Sequence, residues 1–121
     1  MRMIPEAIDL VVHHLLQNNY LNETRFAQAF ARGKFRMKKW GKNRIVRELK
    51  FRDMSKYNIT LALKEIPEKE YHATFHELAE KRWEQLAMEN NFQKKKKKFM
   101  DYLLYRGWES NLIYDFINDL C

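Results

Sequence analysis

The sequence predicts an all-helical fold, and three observations predict it. Only three Gly and two Pro occur in 121 residues, too few for the hairpin turns and bulges of an all-β chain. Apolar residues recur at three- and four-residue spacing along most of the chain, as one-sided helices require. Hydrophobic residues make up 45% and charged residues 32%, enough apolar material to fold despite the charge. The length suits one domain of about 50–250 residues.

A first helix is predicted over 5–17. Pro5 fits a first helical turn, where its missing N–H is no loss, and Ile8, Val12 and Leu15 form a stripe. Asn18 and Asn19 are expected to end it, Tyr20 and Leu21 to connect, and Asn22 to cap a second helix whose buried stripe is Phe26, Ala27, Phe30 and Ala31. Trp40 and Gly41 interrupt that helix. A third, about 42–52, carries Ile45, Val46 and Leu49. Met54 and Ser55 introduce a fourth, with Ser55 as its cap, Ile59, Leu63 and Ile66 as its stripe, and Pro67 as its stop. From 68 to about 89, Tyr71, Phe75, Leu78, Ala79, Trp83, Leu86 and Ala87 mark a long charged helix, broken at Asn90 and Asn91. Two more follow, 93–106 with Phe99, Met100, Leu103 and Leu104, and 109–120 with Ile113, Phe116, Ile117 and Leu120. Gly107 is the stop between them.

Spacing also reveals a repeat. Ile8, Val12 and Leu15 align with Ile59, Leu63 and Ile66 at an offset of 51, and these align with Ile113, Ile117 and Leu120 at 54. At the same offset of 54, Ile45 matches Phe99, Leu49 matches Leu103, Arg52 matches Arg106 and Met54 matches Trp108. A helix pair therefore recurs, with one further copy of its last helix at the N-terminus. Units of this length stack against their neighbours into elongated or curved arrays.

Charge narrows the partner. The net charge is +7 and the pI about 9.5, a balance that attracts nucleic acid, an anionic membrane or an acidic protein surface. Residues 32–52 hold ten Lys or Arg against Glu48, and residues 94–108 hold six against Asp101. Like charges this dense repel one another, so an opposite-sign partner is expected. The candidate contact residues are Arg32, Lys34, Arg36, Lys38, Lys39, Lys42, Arg44 and Arg47, then Lys94, Lys95, Lys96, Lys97 and Lys98. Trp40 joins them as a ring able to stack on bases or fill a partner's pocket.

Catalytic and metal chemistry find little footing. There is no Gly-rich phosphate loop, no Gly-x-Ser-x-Gly elbow and no carboxylate pair with separated environments, so neither an enzyme nor a cofactor is expected. His72 and His76 share a helix face, but Ala73 stands where a zinc-protease helix needs Glu and no third ligand is evident. His13 and His14 point different ways around a helix. The lone Cys121 suits a reducing compartment. No apolar run is long enough to span a membrane and the first 20 residues do not read as a secretory leader, so a cytoplasmic protein is expected.

The stretches Tyr20-Leu21-Asn22-Glu23-Thr24-Arg25-Phe26-Ala27, Trp40-Gly41-Lys42-Asn43-Arg44-Ile45-Val46-Arg47-Glu48-Leu49 and Leu103-Leu104-Tyr105-Arg106-Gly107-Trp108 resemble the RecX family of recombination regulators. The resemblance implies tandem three-helix repeats: a partial first repeat over 4–21, a second over 22–66 and a third over 68–120. It implies a protein that binds the RecA recombinase filament on DNA, single-stranded or filament-bound, and inhibits recombination, with a place in DNA repair and the SOS response. A non-specific helical DNA-binding protein using the same basic residues is the alternative. The family begins with a complete first repeat, whereas this chain opens just before that repeat's final helix. Residues 4–16 then carry a wide apolar arc, expected either to self-associate or to lie against the 22–35 helix with a residual exposed stripe. Asp53 stands where the family usually has Gly.

Overall fold

The computed structural model describes residues 5–120, with side chains described from Asn22 onward. Six α-helices, and no strand, occur among the described residues: α1 (Pro5–Lys38), α2 (Lys42–Phe51), α3 (Lys56–Leu63), α4 (Glu68–Gln85), α5 (Phe92–Tyr105) and α6 (Ser110–Leu120). The later part of α1 packs on α3, with α2 against both, while α4, α5 and α6 contact one another. Two three-helix units therefore follow each other along the chain.

The expected break at Asn18–Asn22 is absent, because α1 continues through it for 34 residues. Asn costs a helix interior only a few tenths of a kcal/mol, and nothing between 18 and 32 is Gly or Pro, so no residue there is a strong enough breaker. The side chains of residues 4–16, expected either to self-associate or to lie against the 22–35 helix, lie outside the described residues.

Much of the predicted pattern recurs, although Leu104 and Leu120, expected on apolar stripes, are exposed. Ser55 caps α3 by accepting from Asn58 N–H, and Asn91 caps α5 by accepting from Lys94 N–H. The α1 stripe is rotated from the expected one: Ala27, Ala31 and Phe35 are buried, whereas Phe26 is 46% exposed. Spacing of four from Ala27 carries the buried line to Phe35, past the larger but outward-facing Phe26. In α4 the helix ends at Gln85, so Ala87 lies beyond it and is exposed. The second unit centres on aromatic rings: Trp108 lies 4.7 Å from Tyr71 and 5.4 Å from Phe75, and Phe99 stacks on Phe116 at 5.3 Å.

The repeat is visible in hydrogen bonds. Helix α2 ends with Met54 N–H donating to Leu49 C=O and Asp53 N–H to Lys50 C=O; α5 ends with Trp108 N–H donating to Leu103 C=O and Gly107 N–H to Leu104 C=O. Both are Schellman ends, with the left-handed residue at Asp53 (φ 59°) and Gly107 (φ 92°). Their offset of 54 residues is the one read from the apolar pattern.

The two units are joined at main-chain level. Gly41 caps α2 without a side-chain bond. Instead Gly41 N–H donates to Arg106 C=O at 2.8 Å and Asn43 N–H to Gly107 C=O at 3.0 Å. Lys42 N–H donates to the Tyr71 hydroxyl at 2.8 Å, and that hydroxyl donates to Glu109. The unpaired N–H groups of one helix start thus meet the unpaired carbonyls of another helix end. Both glycines are required by the approach: a Cβ on Gly41 would sit 2.3 Å from Gly107 O, and one on Gly107 2.3 Å from Arg44 N.

Candidate recognition face

The end of α1 and the start of α2 carry the first cluster of basic residues, and the joint fixes them against α5. Lys39 turns the chain with φ 59°, bringing Trp40 back over α1. Trp40 is half-buried, with its ring 6.3 Å from Phe30. Cations and rings then alternate. Arg52 lies over Phe30 at 4.8 Å, Lys34 over Phe30 at 5.6 Å and over Trp40 at 5.1 Å, and Arg44 over Trp40 at 4.2 Å and over Tyr105 at 4.8 Å. Each such contact contributes about 0.5–1 kcal/mol at an exposed site. Together they hold long side chains in place, lowering the ordering cost of meeting a partner.

Arg44 is the centre of this ladder. Its guanidinium lies between the two rings and donates to Tyr105 C=O at 3.4 Å, while its Nε–H is buried without an acceptor among the described residues. Tyr105 itself is 70% exposed, so the outer end of the ladder is open to a partner.

Two regions of the chain match known three-helix domains. Residues 22–63 match the second three-helix domain of RecX, and residues 68–117 match the third. The chain belongs to the RecX family. The protein named Regulatory protein RecX in Yersinia enterocolitica is 31% identical over 115 residues, covering 95% of this chain and 66% of its own length. Those of Yersinia pseudotuberculosis and Yersinia pestis are 33% identical over 116 residues, covering 95% of this chain and 61% and 59% of their lengths. The chain thus spans less than two thirds of the length of these RecX relatives. No solved structure gives a significant match.

In this RecX-family chain the expected contact residues do not form one patch. Lys34, Trp40 and Arg44 share the ladder, and Arg47 is exposed on the same helix as Arg44. Arg32 and Arg36 pair instead with Glu65 at 3.2 Å and Glu70 at 3.7 Å. Lys42 pairs with Glu68 at 2.7 Å and lies over the Tyr71 ring. That pairing, with the Lys42 hydrogen bond as its main cause, lowers the Glu68 pKa. Lys38 and Lys39 point into a separate cleft with residues of the second unit.

Lys94–Lys98 occupy the first turns of α5, roughly 15 Å along its axis from Arg106 and the joint. Positive charge is unfavourable at a helix start, and two of these lysines have local partners: Lys98 pairs with Glu89 at 2.8 Å, and Lys95 lies over Trp83 at 4.1 Å. Phe35 is buried between the units with its ring 5.8 Å from Tyr71.

Sequence reasoning missed Tyr105, Arg52 and Phe30 as ladder members. The tertiary fold, and no local spacing, brings Tyr105 to Arg44 across 61 positions. His72 lies 3.4 Å from Glu68, and among the described residues no group of three or more His, Cys, Asp or Glu is placed to hold a metal ion. No helix among them is long and apolar enough to cross a membrane.

Proposed function

We propose that this chain regulates a RecA-type recombinase by docking its cation–aromatic face onto the recombinase–DNA filament and restraining the filament by occupancy. The observation that carries the reading is the ladder from Arg52 through Phe30, Lys34, Trp40 and Arg44 to Tyr105, in a chain that matches two consecutive RecX domains. Ordered cations beside rigid rings suit a surface that is both acidic and aromatic, as a protein-coated nucleic acid is. Inhibition follows from covering surfaces that strand exchange needs and requires no bond-making step.

The test is capture of recombinase alone, DNA alone and the assembled filament at matched salt. The filament is expected to be preferred. Lys34→Glu with Arg47→Glu should lower filament affinity tenfold or more while the circular dichroism spectrum and Tm stay near the parent's. Equal affinity for naked DNA and filament would establish a plain DNA-binding protein, and an unchanged filament affinity in the double variant would remove this face from the interaction.

A further inference from the structure

On another side of the joint, the end of α1, the second half of α4 and the end of α5 enclose a cleft of about 340 Å³, lined by Lys38, Lys39, Lys81, Arg82, Tyr102 and Arg106 together with Met37, Leu78 and Gln85. Five of its lining residues are cationic, and no carboxylate lines it. Glu77 lines a smaller adjoining hollow of about 110 Å³ with Lys39 and Lys81. Neither unit alone makes the cleft, since Lys38 and Lys39 come from the first and the other three cations from the second.

The contrast with the ion-paired cations elsewhere on the surface is chemical. Arg32, Arg36, Lys42, Arg52 and Lys98 each have a carboxylate within ion-pair distance. Among the described residues Lys38, Lys39, Lys81, Arg82 and Arg106 have none, although α4 is rich in Glu. Two of the cations are held in place. The guanidiniums of Arg82 and Arg106 lie over the Tyr102 ring at 4.5 and 4.9 Å, and Arg106 also donates to Lys38 C=O at 2.8 Å. Trp108 Nε1–H donates to Lys39 C=O at 3.1 Å, fixing the opposite wall. The Arg82 Nε–H is buried and lacks an acceptor among the described residues.

Five cations gathered without a counter-charge repel one another, and an anion in the cleft relieves that repulsion. The Tyr102 ring is already engaged by two guanidiniums, which leaves recognition to charge and hydrogen bonding. Phosphate oxygens suit forked guanidinium and mobile ammonium donors together. The volume lies within the range of small-ligand sites, about 300–1,000 Å³, and so exceeds the needs of a single small ion. A cleft of this size accommodates a stretch of chain carrying consecutive charges.

We propose that this inter-unit cleft binds neighbouring phosphates of a single-stranded nucleic-acid backbone, independently of base sequence. The site is distinct from the cation–aromatic ladder, and it stands whether or not the filament is the partner.

The test uses the full chain, no recombinase, and a fluorescent thymidine oligonucleotide titrated across a salt series. Lys39→Gln with Lys81→Gln removes two ammonium groups from the cleft; Lys94→Gln with Lys97→Gln removes two from α5 as a control of equal charge. The cleft variant should bind about tenfold or more weakly, and its slope of log affinity against log salt should shrink by about 1.4, as loss of two phosphate contacts to a single strand requires. The α5 variant should keep the parent slope, and pyrophosphate should displace the oligonucleotide from the parent at lower concentration than from the cleft variant. Circular dichroism and the fluorescence of Trp108 report that the joint is intact; if the Gln pair disturbs it, Lys81→Gln alone, on an exposed helix position, should still reduce the slope by about 0.7. Parent-like affinity and slope in folded cleft variants would overturn the proposal, as would equal losses in the cleft and α5 variants.

Discussion

The Asp53 and Gly107 corners are the same motif at the same point of two successive units, and they separate two reasons for glycine. Each lies at C′ of a Schellman end, each has positive φ, and each has the same two main-chain bonds around it. Asp tolerates the left-handed conformation at modest cost because its short polar side chain suits it. At Gly107 another helix arrives: the start of α2 lies so close that a Cβ would be 2.3 Å from both Arg44 N and Arg44 Cβ. Backbone conformation favours glycine at both corners, whereas close approach requires it at only one. The residues that follow differ accordingly, since Trp108 is wholly buried while Met54 is half-buried.

The largest effect that would test this difference is expected from Gly107→Ala, which adds a clash with α2 backbone to an unfavourable φ. A loss of about 3–5 kcal/mol in urea unfolding is expected. Gly41→Ala, aimed at the same contact from the other side at 2.3 Å from Gly107 O, should approach that loss without any φ strain of its own. If Gly41→Ala proves harmless, close approach is not what distinguishes the two corners.

Next comes the hydroxyl that bridges the joint. Tyr71→Phe leaves Lys42 N–H without its acceptor and Glu109 without its donor, which should cost about 1–3 kcal/mol near neutral pH. It should also alter the alkaline behaviour. Burial above all, and then the hydrogen bond to Glu109, raise the Tyr71 phenol well above its ordinary value of 10.0. A raised folded-state value gives stability that is complete below about pH 10 and declines as pH rises, because the unfolded chain loses that proton while the folded chain keeps it. Unfolding free energies measured on either side of about pH 10 should therefore fall less in Tyr71→Phe than in the parent. Equal slopes would mean that the hydroxyl titrates freely and does not bridge the units.

The smallest effect is expected at the other corner. Asp53→Gly relieves a left-handed non-glycine residue, worth about 1–2 kcal/mol, and gives back about 0.4–1 kcal/mol through the freer unfolded chain. A net gain of about 0.5–1 kcal/mol is expected in the same unfolding measurement. A loss would show that the Asp53 side chain contributes something its conformation does not reveal.

Local signals made most of the architecture legible. Ser55, Asn91 and Gly107 marked helix ends because each satisfies a main-chain group within a few residues, and the 54-residue offset returned as a pair of matching helix ends. Asn18, Asn19 and Asn22 misled because asparagine permits a helix end without imposing one, and α1 runs through all three. The basic residues of 32–47 were legible as charge, but their division among ladder, ion pairs and cleft was not. Glu65, Glu68 and Glu70 decide that Arg32, Lys42 and Arg36 are paired, and they come from the far end of the first unit and the start of α4. Lys81 and Arg82 stood in an acidic stretch and Arg106 beside a turn, so only the packing of α4 and α5 against Lys38 and Lys39 assembles the cleft.

The joint made by Gly41, Asn43, Arg106 and Gly107 has a mechanical consequence. Its two bonds run from main chain to main chain, so no rotamer change can lengthen or tilt it, and there is no room for a side chain to act as a spacer. Torque applied to the first unit passes directly into the second. The ladder on one side and the cleft on the other are consequently held at a set pitch, and a bound strand or filament must conform to that pitch or break both bonds together.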